Sequence, residues 1–142
     1  IGSILSMDNW SLLILGDGSM ADRVRTVAGE KDEITYMGTV PHEMVPGYIH
    51  AADVGISLVN DPNTLKVLEY GAANLPIVQL TGEVRYRYGG FLHYCNDTPE
   101  SISGAIKMAY ESTGNDDFQR YVSKFDWKKI ATDYYQALKS VI

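Results

Sequence analysis

Short apolar runs alternate with amphipathic stretches along this chain. The runs cover residues 10–15, 34–37, 54–59, 76–80 and 91–94. Each is too short for a helix and is bounded by turn residues, which predicts strands. Residues 20–28, 44–51, 64–73 and 102–111 carry helical spacing between them. Apolar strands alternating with helices predict a parallel sheet covered on both faces. The expected fold class is α/β, a single doubly wound, Rossmann-like domain.

The last segment, residues 127–142, places Ile130, Ala131, Tyr134, Leu138 and Val141 on one apolar stripe. This predicts a long C-terminal helix with Asp126 as its N-cap. Residues 81–90 and 113–117 read as the mobile loops. Residues 1–4 look like a strand end, yet the next strand begins by Trp10. A crossover between parallel strands needs about ten residues or more. The expectation is therefore that residues are missing between Ile4 and Asn9.

Composition narrows the class. With 142 residues, 45% of them apolar and 21% charged, the chain suits one globular domain. No apolar run is long enough to span a bilayer, and no signal peptide is visible. Starting at Ile1 rather than Met, the sequence reads as a piece of a longer protein. The formal net charge of −6 lacks the Lys/Arg stripe of a nucleic-acid-binding surface, so no nucleic-acid partner is expected. A phosphorylated ligand would have to be held locally, by backbone N–H groups at a helix start. Cys95 is alone and reads as a small buried hydrophobe in a cytoplasmic protein. His42, His50 and His93 are scattered, so neither a triad nor a metal site is expected.

Two stretches carry candidate chemistry. Gly16-Asp17-Gly18-Ser19 joins a strand to a helix, where glycines allow a tight turn and close backbone approach. Ala21 stands where a dinucleotide fingerprint wants its third glycine, so a plain strand–helix turn is the competing reading. Residues 60–70 form a polar loop at the carboxyl end of a strand, running into a helix that begins near Thr64. Open α/β sheets bind ligands there. Free N–H groups of Asn63, Thr64 and Leu65 could receive a diphosphate. Glu69, at the edge of a stripe formed by Leu65, Leu68 and Ala72, could accept from a ribose diol. The bland readings are equally concrete. Asp61 before Pro62 would cap the helix, and Lys66 with Glu69 would form a surface ion pair. Arg85, Tyr86, Arg87 and Tyr88 read as an exposed loop that could meet donor, acceptor or a partner domain.

Five segments together resemble the C-terminal domain of the group 1 retaining glycosyltransferases of GT-B architecture. They are WSLLILGDGS at residues 10–19, ITYMGTV at 34–40, YIHAADVGISL at 48–58, KVLEYGAANLPIV at 66–78, and Phe125-Asp126-Trp127 with the helix that follows. The resemblance implies a nucleotide-diphosphate-sugar donor as substrate, no cofactor, and transfer with retention. It implies an acceptor-holding N-terminal domain of the same polypeptide, a saccharide or lipid-linked acceptor, and peripheral membrane placement through that domain. Asp61 matches the first of the family's two glutamates, at the donor sugar. Glu69 matches the second, at the ribose. The backbone at Asn63, Thr64 and Leu65, with Lys66, would meet the diphosphate. Gly16 and Gly18 would meet the donor, and Gly38, Thr39 and Val40 would border the base. Two departures stand out: aspartate at Asp61, and Asn74 where glycine is usual. They keep open an alternative, a catalytically inactive nucleotide-binding or interaction module of the same fold. A nucleotide-sugar epimerase of related architecture is a third reading.

Overall fold

The computed structural model describes residues 1–61 and 63–140. Among these residues five strands form, all in parallel pairs: β1 (Leu12–Leu15), β2 (Ile34–Gly38), β3 (Gly55–Ser57), β4 (Ile77–Leu80) and β5 (His93–Cys95). They make two sheets rather than one. β1 pairs with β2, and β3, β4 and β5 pair in that order. The helices are α1 (Gly2–Leu5), α2 (Ala21–Glu30), α3 (Val45–His50), α4 (Leu65–Ala72), α5 (Val84–Tyr88), α6 (Pro99–Glu111), α7 (Asp116–Val122) and α8 (Trp127–Lys139). Every predicted strand is present; β1, β3, β4 and β5 are shorter than their apolar runs, and β2 runs one residue further, to Gly38.

β4 fixes which helix covers which face. Successive strand side chains point to opposite sides. Val78 enters a cluster with Ile4, Met7, Cys95, Ile102, Ala105, Ile106 and Ala109, so α1 and α6 cover that face. Ile77 enters the other cluster, with Val67, Val84, Tyr88, Leu92, Phe118 and Val122 from α4, α5 and α7. The chain is thus doubly wound, with helices on both faces.

Several sequence expectations change. Residues 1–4 are not a strand end: α1 occupies them, and the Met7 amide bonds the Ile4 carbonyl as the chain turns toward Trp10. With a helix in place of a strand end, no crossover between parallel strands has to fit between Ile4 and Asn9, and Asn9 takes φ +63° there. Residues 81–90 hold α5, whose Val84 and Tyr88 are buried, while Tyr86 is exposed. α8 starts where predicted, with Asp126 Oδ1 accepting from the Lys128 and Lys129 amides. Its apolar stripe is not core, however: Tyr134 and Leu138 are exposed. The stripe's Val141 and the last two positions of the predicted helix lie outside the described residues, as does Pro62. The core face of α4 also differs. Val67 and Gly71 are buried, whereas Leu65 is 63% exposed.

Gly71 is there for close approach. A Cβ at this position would lie 2.6 Å from the Phe118 ring and 2.8 Å from Val122 of α7. α4 then ends because Asn74 takes the left-handed conformation at φ +55°, with the Leu75 amide bonding the Tyr70 carbonyl at 3.0 Å. Asparagine tolerates this conformation as glycine does. Its Nδ2 donates to Asp116 Oδ1 at 3.0 Å, tying the helix end to α7.

His93 pairs its Nε2 with Ser112 Oγ at 3.1 Å, between β5 and the end of α6. Burial pushes its imidazole below the usual range.

Two predictions follow from this packing. Gly71→Ala gains about 1 kcal/mol of helix propensity but overpacks α7 at about 1–3 kcal/mol, so a net loss is expected in urea unfolding. Gly29→Ala in α2, where a Cβ meets nothing within 4 Å, should instead be neutral or stabilising. The lowered His93 value means that the unfolded chain binds a proton more readily than the folded one. Stability should therefore be retained above about pH 6.5 and fall as pH drops through that value. His93→Gln should remove this part of the slope between pH 7.5 and 5.5, measured by urea midpoints against the parent chain.

Candidate functional site

A groove of about 770 Å³ runs between β1 and β3. Its floor is apolar, with Leu13, Leu15, Val54 and Ile56 among the lining residues. Its rim collects the carboxyl ends of three strands. Gly16 follows β1, Thr39 and Val40 follow β2, and Leu58 follows β3. Lys66, in the first turn of α4, is the one cation among its described lining residues. Gly16, Thr39, Val40 and Lys66 are separated by up to fifty residues of chain, and the fold brings them to one opening.

The rim's backbone is set by glycines that need unusual torsions. Gly16 has φ +108° and Gly38 has φ +63°, and the Gly16 amide donates to the Gly38 carbonyl at 2.7 Å. That bond holds the ends of β1 and β2 together. Gly18 lies outside the groove lining; its amide bonds the Asp17 carboxylate at 2.7 Å, and its carbonyl accepts from the Ala21 amide at 2.9 Å in the turn that leads into α2. α2 starts after it at Ala21, with no side-chain cap, and Asp22 stands in its first turn.

The loop between β3 and α4 is held from three sides. The buried Gln79 of β4 donates through Nε2 to the Val59 carbonyl. Asn60 Oδ1 accepts from the Glu83 amide at 3.0 Å, and Asn63 Oδ1 accepts from Arg87 Nη1 at 2.8 Å. Gly82 must be glycine for this, since a Cβ there would meet Asn60 at 2.1 Å. Arg87 of the 85–88 stretch therefore braces the loop and Tyr88 is buried, while Arg85 and Tyr86 are exposed as expected. Arg85 lies over the Tyr94 ring, and Arg87 over Tyr88 and Phe125.

Asp61 does not cap α4. Its Oδ1 accepts from the Asn63 amide at 2.9 Å, and its carbonyl accepts from Thr64 at 3.1 Å. This closed turn comes one step too early for the helix, whose N-cap is Thr64 with no side-chain cap bond. The first-turn N–H groups of α4 consequently have no side-chain acceptor from the cap residue. Lys66 Nζ donates to Glu69 Oε2 at 2.8 Å, the surface pair expected from the spacing. Glu69 is half-shielded, at 29% side-chain exposure. The structure thus brings Lys66 to the rim, leaves its ion-pair partner Glu69 outside the groove lining on α4, and leaves Asp61, Asn63, Thr64 and Leu65 on the adjoining loop and helix start.

No group of three or more metal-ligating side chains occurs among the described residues. No described helix is long and apolar enough to cross a membrane. Cys95 is buried with Sγ 3.5 Å from the Gln79 carbonyl, and burial raises its thiol.

No curated protein matches the chain. The family model described as "Glycosyl transferases group 1" matches residues 2–112, from α1 through the end of α6 and including every strand and the whole groove. With strands, glycine turns and rim all inside that match, the chain belongs to the group 1 glycosyltransferases.

Proposed function

We propose that the groove rim binds the nucleotide-diphosphate-sugar donor of a sugar transfer that proceeds with retention. The observation that carries this is the convergence of Gly16, Thr39, Val40 and Lys66 on one opening at the carboxyl ends of β1, β2 and β3. That is where open α/β sheets take ligands. In a chain of net charge −6, a diphosphate needs local help. Lys66 supplies one positive charge, and the α4 start supplies N–H groups that no cap side chain occupies.

Each residue then has a part. The amides of Asn63, Thr64 and Leu65 and the Lys66 ammonium hold the diphosphate. Glu69 accepts from the ribose diol and, through Oε2, keeps Lys66 in place. Gly38, Thr39 and Val40 border the base, with Gly16 and Gly18 on the opposite turn. Asp61 faces the donor sugar from a turn its own carboxylate stiffens. Stabilising the departing diphosphate is this domain's contribution to the chemistry. The acceptor, a saccharide or lipid-linked glycan, would come from a facing N-terminal domain of the same polypeptide, and the 142-residue chain alone would turn nothing over.

Titrating UDP, GDP and ADP into the chain by calorimetry tests the donor site. One of them should bind in the weak range of about 0.1–1 mM. Absence of binding by all three would sink the reading. Lys66→Ala should weaken that binding by about two- to fivefold, since Lys66 is half-exposed and screened. Glu69→Gln should cost about tenfold if it holds the ribose through charge-assisted hydrogen bonds. An unchanged affinity would remove it from the site. Retention is decided separately, by NMR of the anomeric product of the active enzyme.

A further inference from the structure

A second cavity, of about 290 Å³, opens where Pro76 and Leu92 lead into β4 and β5. β3, β4 and β5 run parallel, so this is the opposite end of the sheet from the groove rim. Leu75 is the one described lining residue that the cavity shares with the groove. Its floor is buried, with Gly71, Leu92 and Phe118, and its mouth is exposed, with Phe91, Thr113 and Asn115. The Phe91 ring, 36% exposed, stacks on Phe118 at 5.2 Å between centroids. No Asp, Glu, Lys or Arg is among the described lining residues. The polar groups are neutral, and their bonds fix their roles. Ser112 Oγ donates to the Ala109 carbonyl at 2.6 Å, so its contact with His93 Nε2 at 3.1 Å makes the ring the donor. The His93 proton then sits on Nε2 and leaves Nδ1 as an acceptor. Asn115 Oδ1 accepts from the Phe118 amide at 3.0 Å as the N-cap of α7, which leaves its Nδ2 as a donor. His93 Nδ1, Asn115 Nδ2 and Thr113 Oγ1 make no hydrogen bond among the described residues.

This lining sorts ligands by chemistry. An anion would find no cation in it and would meet Asp116 and Asp117, which follow Asn115 in the first turn of α7. A cation would find no carboxylate in it, and Asp116 Oδ1 already accepts from Asn74. A wholly apolar molecule would strip water from three polar groups and return no hydrogen bond. What suits both the rings and the polar groups is a ring with an apolar C–H face and neutral hydroxyls at its edge. The volume is near the lower limit for small-molecule sites, about 300 Å³, which admits one such ring. We infer that this cavity is a second carbohydrate site, taking one uncharged pyranose at the opposite end of the sheet from the groove rim. Sugar hydroxyls donate to His93 Nδ1 and accept from Asn115 Nδ2 and Thr113 Oγ1, while a C–H face lies against the electron-rich face of Phe91. In a chain of the group 1 glycosyltransferases, such a site would hold a sugar away from the groove. The inference does not rest on the nucleotide reading, since the cavity contains none of the rim residues.

The test titrates the isotope-labelled 142-residue chain with the methyl α-glycosides of glucose, galactose and mannose and follows the amide NMR spectrum. At least one should bind saturably, with a Kd of about 1–10 mM, moving the Gly90, Thr113 and Asn115 amides and leaving those of Gly16 and Thr39 in place. A linear trisaccharide of that sugar, binding at least as tightly, supports a glycan residue as the occupant; weaker binding supports a free sugar. Asn115→Asp keeps the capping oxygen and removes Nδ2, and Thr113→Val removes a hydroxyl at an exposed position. Each should leave the rest of the amide spectrum in place and weaken binding by about three- to tenfold, the worth of one hydrogen bond. Phe91→Leu keeps apolar bulk without the flat ring and should weaken binding by about tenfold. No saturation with any glycoside, shifts confined to the groove rim, the same shifts with glycerol at equal concentration, or tighter binding of glucose 6-phosphate would overturn the inference. So would an affinity unchanged in all three variants. UDP in the same spectra reports the rim separately: its failure to bind, with glycoside binding retained, removes only the nucleotide reading.

Discussion

Strand β4 is dry on both faces and paired on both edges, and the arrangement of the other elements depends on that. Ile77 and Val78 point into opposite clusters and are 2% and 0% exposed. A strand in this position removes apolar surface from water twice over, at roughly 25 cal/mol per Å² on each side. It can do so only if helices cover both sides, which places α1 and α6 on one and α4, α5 and α7 on the other. β4 also carries Gln79, fully buried, whose Nε2 holds the Val59 carbonyl at the start of the loop above. The same strand that organises the core thereby positions the segment on which the ligand reading rests. Gln79 Oε1 and Ser57 Oγ, beside it on β3, are buried with no hydrogen-bond partner. Such atoms cost free energy. They sit at the carboxyl end of the sheet, where the fold is least optimised for stability alone.

The strands and most helices were legible because their signals are local. Five apolar runs bounded by turn residues need no knowledge of the tertiary fold to be read as strands. What failed was the direction of burial. On α4, hydrophobicity ranks Leu65 above Gly71, yet Gly71 is core and Leu65 faces solvent. A glycine becomes core when another helix must approach its backbone, and that requirement lives in Phe118 and Val122, some fifty residues away. α1 was misread because four residues show no period. α5 was misread because Val84 and Tyr88, its two buried positions, are separated by charged and polar neighbours that resemble a loop. On α8 the stripe was read correctly as a stripe and wrongly as core, since amphipathicity shows that a face wants cover without saying that this chain supplies it.

The site followed the same division. The turn glycines and the Lys66–Glu69 pair are short-range features and stand where expected. Arg87 could not be assigned, because its bond to Asn63 spans twenty-four residues and depends on α5 forming. Asp61 shows how two local rules compete. An aspartate before a helix can cap it or close its own turn two residues on. Here the turn closes first, with the Asn63 amide as donor, and the cap passes to Thr64. That outcome matters chemically. A carboxylate on the helix N-terminus would neutralise the partial positive charge there and repel a diphosphate. With Asp61 engaged in its own turn, no cap side chain occupies the N–H groups at the α4 start, which is what the proposed diphosphate contact requires.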